Sequence, residues 1–547
     1  MRNYCDSVGG KIIRANNVSR VLLPLCVLSA IGAVAIFLET SRGPGLSPDS
    51  AVYLGVARSV LEGRGLTIPF GTLEPTPLTH YPPLFPSLLA LIAVVSGDPL
   101  IAAGWLNMVL FGANVLLVGV IVNRYTCSVR MSLLGAILAL SSIAMLWIHS
   151  WVWTEPLFVF LGLLGLLQLA EHLKNPRPPL LVISASIVAL AFLARYAGVA
   201  LVGAGIAGIL LLSGRGTVYA RIRDSALFFA ISSFPMLIWA IRNMSLAGAS
   251  TDRAFAYHPL TLGHARYGLL MISSWVLPIG SSVWVGVSVL LLGTVGLLAV
   301  AGNKFLRKDS TNPSNPANDN GEKRGRLLPL LGLFILIYAI LLIVTMSFLD
   351  ADTTPDNRIL SPIFLPALIC CLCAGHKVSR DLEGIRGTRL VCVAVCTILA
   401  VCCIFRSMVS INYNRTYGLG YTTGRWRSSE TMDRIRAIPP EFTIFTNVAP
   451  AVYLLTGRSA VQVPMKVNIY TLRANTNYSI EFAAMGERLR KGDAILAYFS
   501  PISPNFPSEM EIRSQFGLRL VAQMADGAFY GVAWPPQGIR PMRGGPF

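Results

Sequence analysis

Charged side chains are the scarcest class in this sequence: Asp, Glu, Lys and Arg make up 13% of its 547 residues, against 54% apolar. A water-facing exterior needs far more charge than that, so a soluble globular protein is excluded. No P-loop, zinc motif or nucleophile elbow occurs along the chain, which leaves ATP-driven transport and hydrolase chemistry without a motif. The 10 cysteines end at Cys403. All fall in apolar spans or in loops read as cytoplasmic, which fits an oxidising exterior where the C-terminal part makes no disulfides. Cys370-Cys371-x-Cys373 lies in an apolar run with no His or acid nearby, so it reads as core thiols, not a metal site. No small-x-small cleavage pattern follows the apolar run Val21 to Leu38 at Glu39-Thr40-Ser41, so that run reads as an uncleaved first span.

What the chain has in abundance is apolar length. Runs of roughly 20 residues, enough to cross about 30 Å of hydrocarbon, recur through the first 405 positions. They predict about eleven spans, near 21–39, 100–122, 131–147, 155–171, 180–194, 197–213, 225–241, 283–301, 327–347, 359–375 and 390–406. The formal charge of +18 is carried by short basic clusters between these spans, among them Arg124 and Arg130, Arg221 and Arg223, and Lys377 to Arg389. The clusters fall in alternate loops, the pattern of cytoplasmic loops. Anionic headgroups are a sufficient partner for such charge, and nucleic-acid binding is not expected. An odd span count with every basic cluster inside puts the N-terminus in the cytoplasm and the C-terminus outside.

Three regions follow from composition: a membrane part over 1–406, an extracytoplasmic α/β domain over 407–534, and a Pro/Gly-rich tail over 535–547. Within the first, 40–99 reads as a long outer loop whose apolar piece Leu84 to Val95 is too short to cross. Met271 to Gly280 is a second candidate for partial insertion, and 309–321 reads as a disordered linker. In the C-terminal part, expected strands at Thr443 to Thr446, Ala494 to Phe499 and Leu518 to Val521 alternate with helices at Arg427 to Ile438 and Ile480 to Arg490.

The candidate chemistry lies on the outer side. Ser47 and Pro48 suit the cap and first position of a surface helix lined by Val52, Val56 and Val60. Asp49 then falls in its first turn, where it either complements the helix dipole or acts on a substrate. Glu155, in Trp151-Val152-Trp153-Thr154-Glu155-Pro156, opens a span at the same face with the same two readings, and an ionisable group there is costly enough to mark function. Two carboxylates on one face could hold a divalent cation, or one could serve as base. Arg195-Tyr196 lies between two nearly touching spans, and Arg358 just before a later one. Both suit bidentate phosphate contact or headgroup snorkelling. His80 and Tyr81 precede the stiff run Pro82-Pro83-Leu84-Phe85-Pro86 and could be positioned over a site.

Taken in order, Pro48-Asp49-Ser50-Ala51-Val52-Tyr53, His80 through Pro86, Thr154-Glu155-Pro156-Leu157-Phe158, Arg195-Tyr196-Ala197-Gly198 and Asn357-Arg358-Ile359-Leu360-Ser361-Pro362 resemble the GT-C superfamily. These are lipid-carrier-dependent glycosyltransferases, and the likeness is to the family-39-like branch of protein O-mannosyltransferase and aminoarabinose transferase relatives. The resemblance implies a GT-C-like polytopic fold and a bacterial inner (plasma) membrane enzyme working on the extracytoplasmic face. Its donor would be a polyprenyl-phosphate sugar and its acceptor a lipid, glycan or protein. It implies catalytic roles for Asp49 and Glu155, with a divalent metal (Mg, Mn or Zn) held by the same two acids. Arg195 and Arg358 would grip the donor phosphate, and His80, Tyr81, Tyr53 and Tyr196 would position substrate. Many relatives have a paired acid where this chain has Asp49-Ser50, which weakens the metal expectation. A transporter or flippase for a lipid-linked sugar is the competing reading, but such proteins place ionisable groups near mid-membrane and often show inverted repeats, and none is visible here.

Overall fold

A chain in hydrocarbon has to satisfy every backbone N–H and C=O within itself, and helices do this segment by segment. The computed structural model describes residues 2–213, 217–248, 251, 255–277, 326–350, 353–381, 388–468 and 471–532. After α1 (Arg2–Glu39), the first loop holds α2 (Pro48–Leu61), a ribbon of β1 (Thr67–Ile68) and β2 (Thr76–Pro77), and α3 (Leu84–Ser96). The bundle continues with α4 (Pro99–Thr126), α5 (Val129–Leu140), α6 (Ile143–His149), α7 (Glu155–Lys174), α8 (Pro178–Ala194), α9 (Val199–Leu212), α10 (Val218–Ala247) and α11 (Leu262–Ser274). α12 (Leu327–Phe348), α13 (Asn357–Asp381) and α14 (Thr388–Tyr417) complete it among the described residues.

Ten of the eleven expected spans fall on described residues and each coincides with a helix or a bent helix pair, with differences of length or shape in three places. Among the described residues, 7 helices have the length and apolar composition to cross a membrane, or 8 if the bent pair α5–α6 is one span. The expected span 131–147 is that pair, broken by 54°. At the break Ser142 Oγ accepts from Met145 N–H at 3.3 Å, capping α6, and Ser141 Oγ donates to the Ile137 carbonyl at 2.7 Å. Polar side chains thus take up the backbone groups that the bend releases. The expected spans 180–194 and 197–213 are shorter apolar helices of 17 and 14 residues, separated at Arg195. The last expected span, 390–406, runs on to Tyr417, so residue 406 lies inside a helix. The expected span 283–301, the linker 309–321 and the tail 535–547 lie outside the described residues, as does the end of the Met271 to Gly280 stretch. The chain is a polytopic α-helical membrane protein.

Beyond α14 come α15 (Gly424–Arg427), α16 (Glu430–Ala437), β3 (Thr443–Thr446), α17 (Ala449–Thr456), β4 (Val461–Gln462) and α18 (Tyr478–Lys491). β5 (Ala494–Phe499), α19 (Glu509–Phe516), β6 (Arg519–Gln523) and β7 (Gly527–Gly531) follow. The strands form one sheet in the order β4-β3-β5-β7-β6, with β3 parallel to β4 and β5, and β7 antiparallel to its neighbours. The expected strands at 443 and 494 are as read, and the third lies at Arg519–Gln523. β4 and β7 had no clear signal: one is only two residues long, and the other is bracketed by glycines.

Successive side chains of a strand point to opposite faces, and here both faces are covered. Ala494, Leu496 and Tyr498 pack with Phe482, Met485 and Phe516 of α18 and α19. Ile495, Ala497 and Phe499 pack with Met432 and Ile435 of α16, Val452 of α17, and Ala51 and Phe70 of the first loop. α2 therefore lies between the sheet and the bundle, since Tyr53, Leu54 and Ala57 bury against Phe85, Leu89 and Ala93 of α3 and Leu157 of α7. The seam is closed by short parallel bridges, Gly45 with Trp151 and Leu46 with Gly420. Gly420 has φ +57°, and a Cβ there would collide with the Leu46 carbonyl and sit 2.6 Å from the Trp151 ring. Gly420→Ala should lower stability by about 2 kcal/mol or more. An unchanged thermal midpoint in lipid would show that the seam is not as tight as described.

Candidate active site

Three helices begin at one point, each with a charged residue in its first turn. Ser47 caps α2: its Oγ accepts from Ser50 N–H at 3.3 Å, and its own N–H donates to Ser50 Oγ at 3.0 Å. The cap is tied to the start of α7, because Trp153 Nε1–H donates to Ser47 Oγ at 2.9 Å and Ser50 Oγ donates to the Val152 carbonyl at 3.0 Å. Ser50 is thus fully buried and spent on this junction. Asp49 comes next to that anchor, and Glu155 comes two residues after Trp153. Arg358 lies in the first turn of α13, whose start is capped by Asp356 Oδ1 accepting from Ile359 N–H at 2.9 Å.

The two acids, whose meeting the sequence alone left open, meet on one guanidinium. Arg358 Nη2 donates to Asp49 Oδ2 at 2.5 Å, and its Nε donates to Glu155 Oε1 at 2.5 Å. Arg195 also pairs with Glu155 Oε1 and donates to Thr154 Oγ1 at 3.2 Å. Arg195 reaches it because the backbone leaves the helix there, at φ −150° and ψ 138°, between α8 and the following 3-10 turn. The side chain of Glu155 is completely buried, whereas those of Asp49 and Arg358 are 23% and 21% exposed. A cation in the first turn of a helix is opposed by the helix dipole, and the two carboxylates offset that. The face of Trp153 adds to the hold, since the Arg358 guanidinium carbon lies 4.4 Å from its ring centroid.

Of the four residues expected to position substrate, Tyr81 touches the quartet, with its hydroxyl donating to Asp49 Oδ1 at 2.7 Å. Tyr53 stacks edge-on against Tyr81 and Phe85 at 5.1 and 5.2 Å, and His80 against Tyr81 at 4.7 Å. Tyr196 donates to the Thr79 carbonyl at 3.2 Å, which helps hold the loop that carries His80 and Tyr81. Burial pushes the Asp49 carboxyl up, but the Arg358 charge and the Tyr81 hydrogen bond outweigh it and hold the group below the usual carboxylate range. Burial and the Asp49 charge both push the Tyr53 phenol up, so it stays neutral.

These groups line a cavity of about 650 Å³. Its lining includes the polar Asp49, Tyr81, Arg195, Arg358 and Asp356 and the apolar Phe192, Val199, Leu341 and Leu342 of α8, α9 and α12. Trp153, Asp356 and Tyr338 were not singled out as site residues from the sequence. Trp153 stood beside Glu155 in plain view, whereas Tyr338 sits mid-span with no local signal and reaches the site only through packing. Trp153→Phe keeps the ring under Arg358 but loses the N–H to Ser47, so a stability loss of about 1 kcal/mol is expected. The measurement is the thermal midpoint in lipid, and no change would mean that the indole N–H does not hold the cap.

The residues do not fit a divalent cation as they stand. Such an ion needs oxygen ligands on several sides, yet the space between the two carboxylates is filled by the Arg358 guanidinium. Among the described residues no third His, Cys, Asp or Glu joins them in a ligand group.

The bundle of apolar helices with a C-terminal sheet is a fold that this chain shares with solved proteins. The chain is similar to ArnT from Cupriavidus metallidurans, solved bound to undecaprenyl phosphate, with a TM-score of 0.56, 11% identity, and 93% of this chain and 99% of that one covered. Against the archaeal oligosaccharyltransferase AglB from Archaeoglobus fulgidus, in complex with an inhibitory peptide and a dolichol-phosphate, the values are 0.52 and 13%, with 87% and 69% covered. Against the mycobacterial arabinofuranosyltransferase AftD they are 0.51 and 15%, with 93% of this chain but only 40% of AftD covered. No protein-family model matches the chain, and no curated protein sequence does.

Proposed function

We propose that this protein is an integral-membrane glycosyltransferase that moves a monosaccharide from a polyprenyl-phosphate donor to an envelope acceptor on the extracytoplasmic face of a bacterial inner membrane. The observation that carries the reading is the set of ion pairs joining Arg358 and Arg195 to Asp49 and the buried Glu155, beside a cavity that Asp49, Arg195 and Arg358 line together with apolar side chains. That combination suits an amphiphile with a phosphate head, because arginine pairs with phosphate in bidentate fashion and helix first turns favour anions. The likeness to a GT-C protein solved with undecaprenyl phosphate supports the same class of donor.

In this reading the donor phosphate draws on the N–H groups of Arg358 and Arg195, and the apolar lining side chains of α8, α9 and α12 take the first part of the carrier. As Arg358 turns toward phosphate its hold on Asp49 weakens, and the carboxylate becomes a better base. The acceptor oxygen attacks the anomeric carbon opposite the phosphate, Asp49 takes its proton, and the bond from anomeric carbon to phosphate oxygen breaks. Configuration inverts, and the carrier phosphate leaves paired with the arginines. A positioned base contributes about 10²–10⁴-fold. The deciding experiment is donor turnover: purified protein in lipid, a panel of radiolabelled polyprenyl-phosphate sugars, and envelope extract as acceptor. Donors that bind but are carried across vesicles without turnover would replace this reading with transport.

A further inference from the structure

A group of arginines that do not line the cavity has no role in the chemistry above. Arg42 follows the end of α1, and its Nε donates to the carbonyl of Arg415, in the last turn of α14, at 3.1 Å. Arg427, from α15, donates to the carbonyl of Arg42. These side-chain-to-backbone contacts bring three exposed arginines into one neighbourhood, and none of them takes part in an ion pair among the described residues. Most of their N–H groups stay free of protein acceptors.

Two more observations say what would lie there. The spans below the cluster are the ones that bury least in the bundle, 22% of the α1 window and 11% of the α14 window. Val34 and Phe37 of α1 and Phe405, Met408 and Val409 of α14 are exposed just beneath the arginines. Beside them Tyr413 and Tyr417 are exposed with ring centroids 4.7 Å apart, as aromatic side chains are at headgroup depth. Beneath the cluster, Asn414 donates to the buried Glu39 at 2.6 Å and clamps the two helices so that their basic ends stay together.

We infer that Arg42, Arg415 and Arg427 form a binding site for the phosphate of an anionic phospholipid in the leaflet at the active-site end, with its acyl chains along α1 and α14. Arginine rather than lysine suits a phosphate diester, and the apolar surface below selects a lipid over a free anion. The site does not rest on the transferase reading. It also has a physical route to the chemistry, since Arg42 leads through Gly43 to Gly45 against the Trp151 ring, which stacks on Trp153 at 4.6 Å.

The test is native mass spectrometry of the full-length protein taken from phosphatidylcholine vesicles doped with phosphatidylglycerol. Wild type should retain phosphatidylglycerol selectively. Arg42→Gln/Arg415→Gln/Arg427→Gln should lose that preference on the order of 100-fold, from roughly fivefold per arginine. The matching triple Lys variant should keep most of it. Arg415→Gln alone, whose side chain makes no hydrogen bond among the described residues, should lose about fivefold and serves if the triple variant fails to fold. The inference falls if the triple Gln variant and Arg415→Gln retain the lipid as wild type does, or if Arg434→Gln/Arg473→Gln/Arg519→Gln on the sheet unit loses it equally. Displacement by inorganic phosphate alone would show a free-anion site and overturn it too.

Discussion

Asp49→Asn should insert and fold as wild type does, yet lose sugar transfer by about 10²–10⁴-fold, the contribution of a positioned base. The amide still fits the space and still accepts from Tyr81, so the loss is chemical and not a failure of assembly. Release of label from a polyprenyl-phosphate sugar, measured beside binding of the same donor, separates the two. Binding retained with turnover lost is the expected pair of results. Normal transfer by this variant would remove Asp49 from the mechanism and leave it as a helix-dipole acid.

Arg358→Leu should be the most damaging single change. It leaves Asp49 and Glu155 facing each other across a cavity edge without the cation between them, a loss on the order of 3 kcal/mol or more, and donor binding should fail with it. The pH dependence changes in a way that packing loss alone would not produce. In the wild type the Asp49 carboxyl is held below its usual value, so its contribution is present above about pH 3.9 and is lost as pH falls through the lower, folded value. Without Arg358 the burial remains, opposed by the Tyr81 hydrogen bond and the Arg195 charge alone, so the Asp49 carboxyl sits higher than in the wild type. The variant should then lose less stability than the wild type as the medium is acidified through the carboxylate range. A thermal midpoint that falls on acidification as steeply as the wild type's would contradict the assigned ion pair.

Much of this was legible in one dimension because the bilayer imposes a strong rule on sequence. Apolar run length, the alternation of basic loops, and first-turn acids at Asp49 and Glu155 are local signals. So is the Ser47-Pro48 start of α2, since a cap depends on residues a turn apart. The strands at 443 and 494 were legible for the same reason, being bounded by charge and turn residues. The break at Ser141-Ser142 was not, because a serine-capped bend in an apolar run has the same hydropathy as a straight span. Nor was the full length of α14, whose polar last turns resemble the start of a soluble segment.

The sequence by itself determined that this is a many-span membrane protein with a C-terminal sheet unit and with acids and arginines beside particular spans, because hydropathy and capping act between near neighbours. Only the tertiary structure decided that Arg358, some three hundred positions after Asp49, lies between that acid and Glu155, and that Trp153 forms the floor beneath it. The same holds for Arg42, Arg415 and Arg427. Charges so far apart in the chain interact only at a few ångströms, and the packing of α1, α2, α7, α13 and α14 sets those distances.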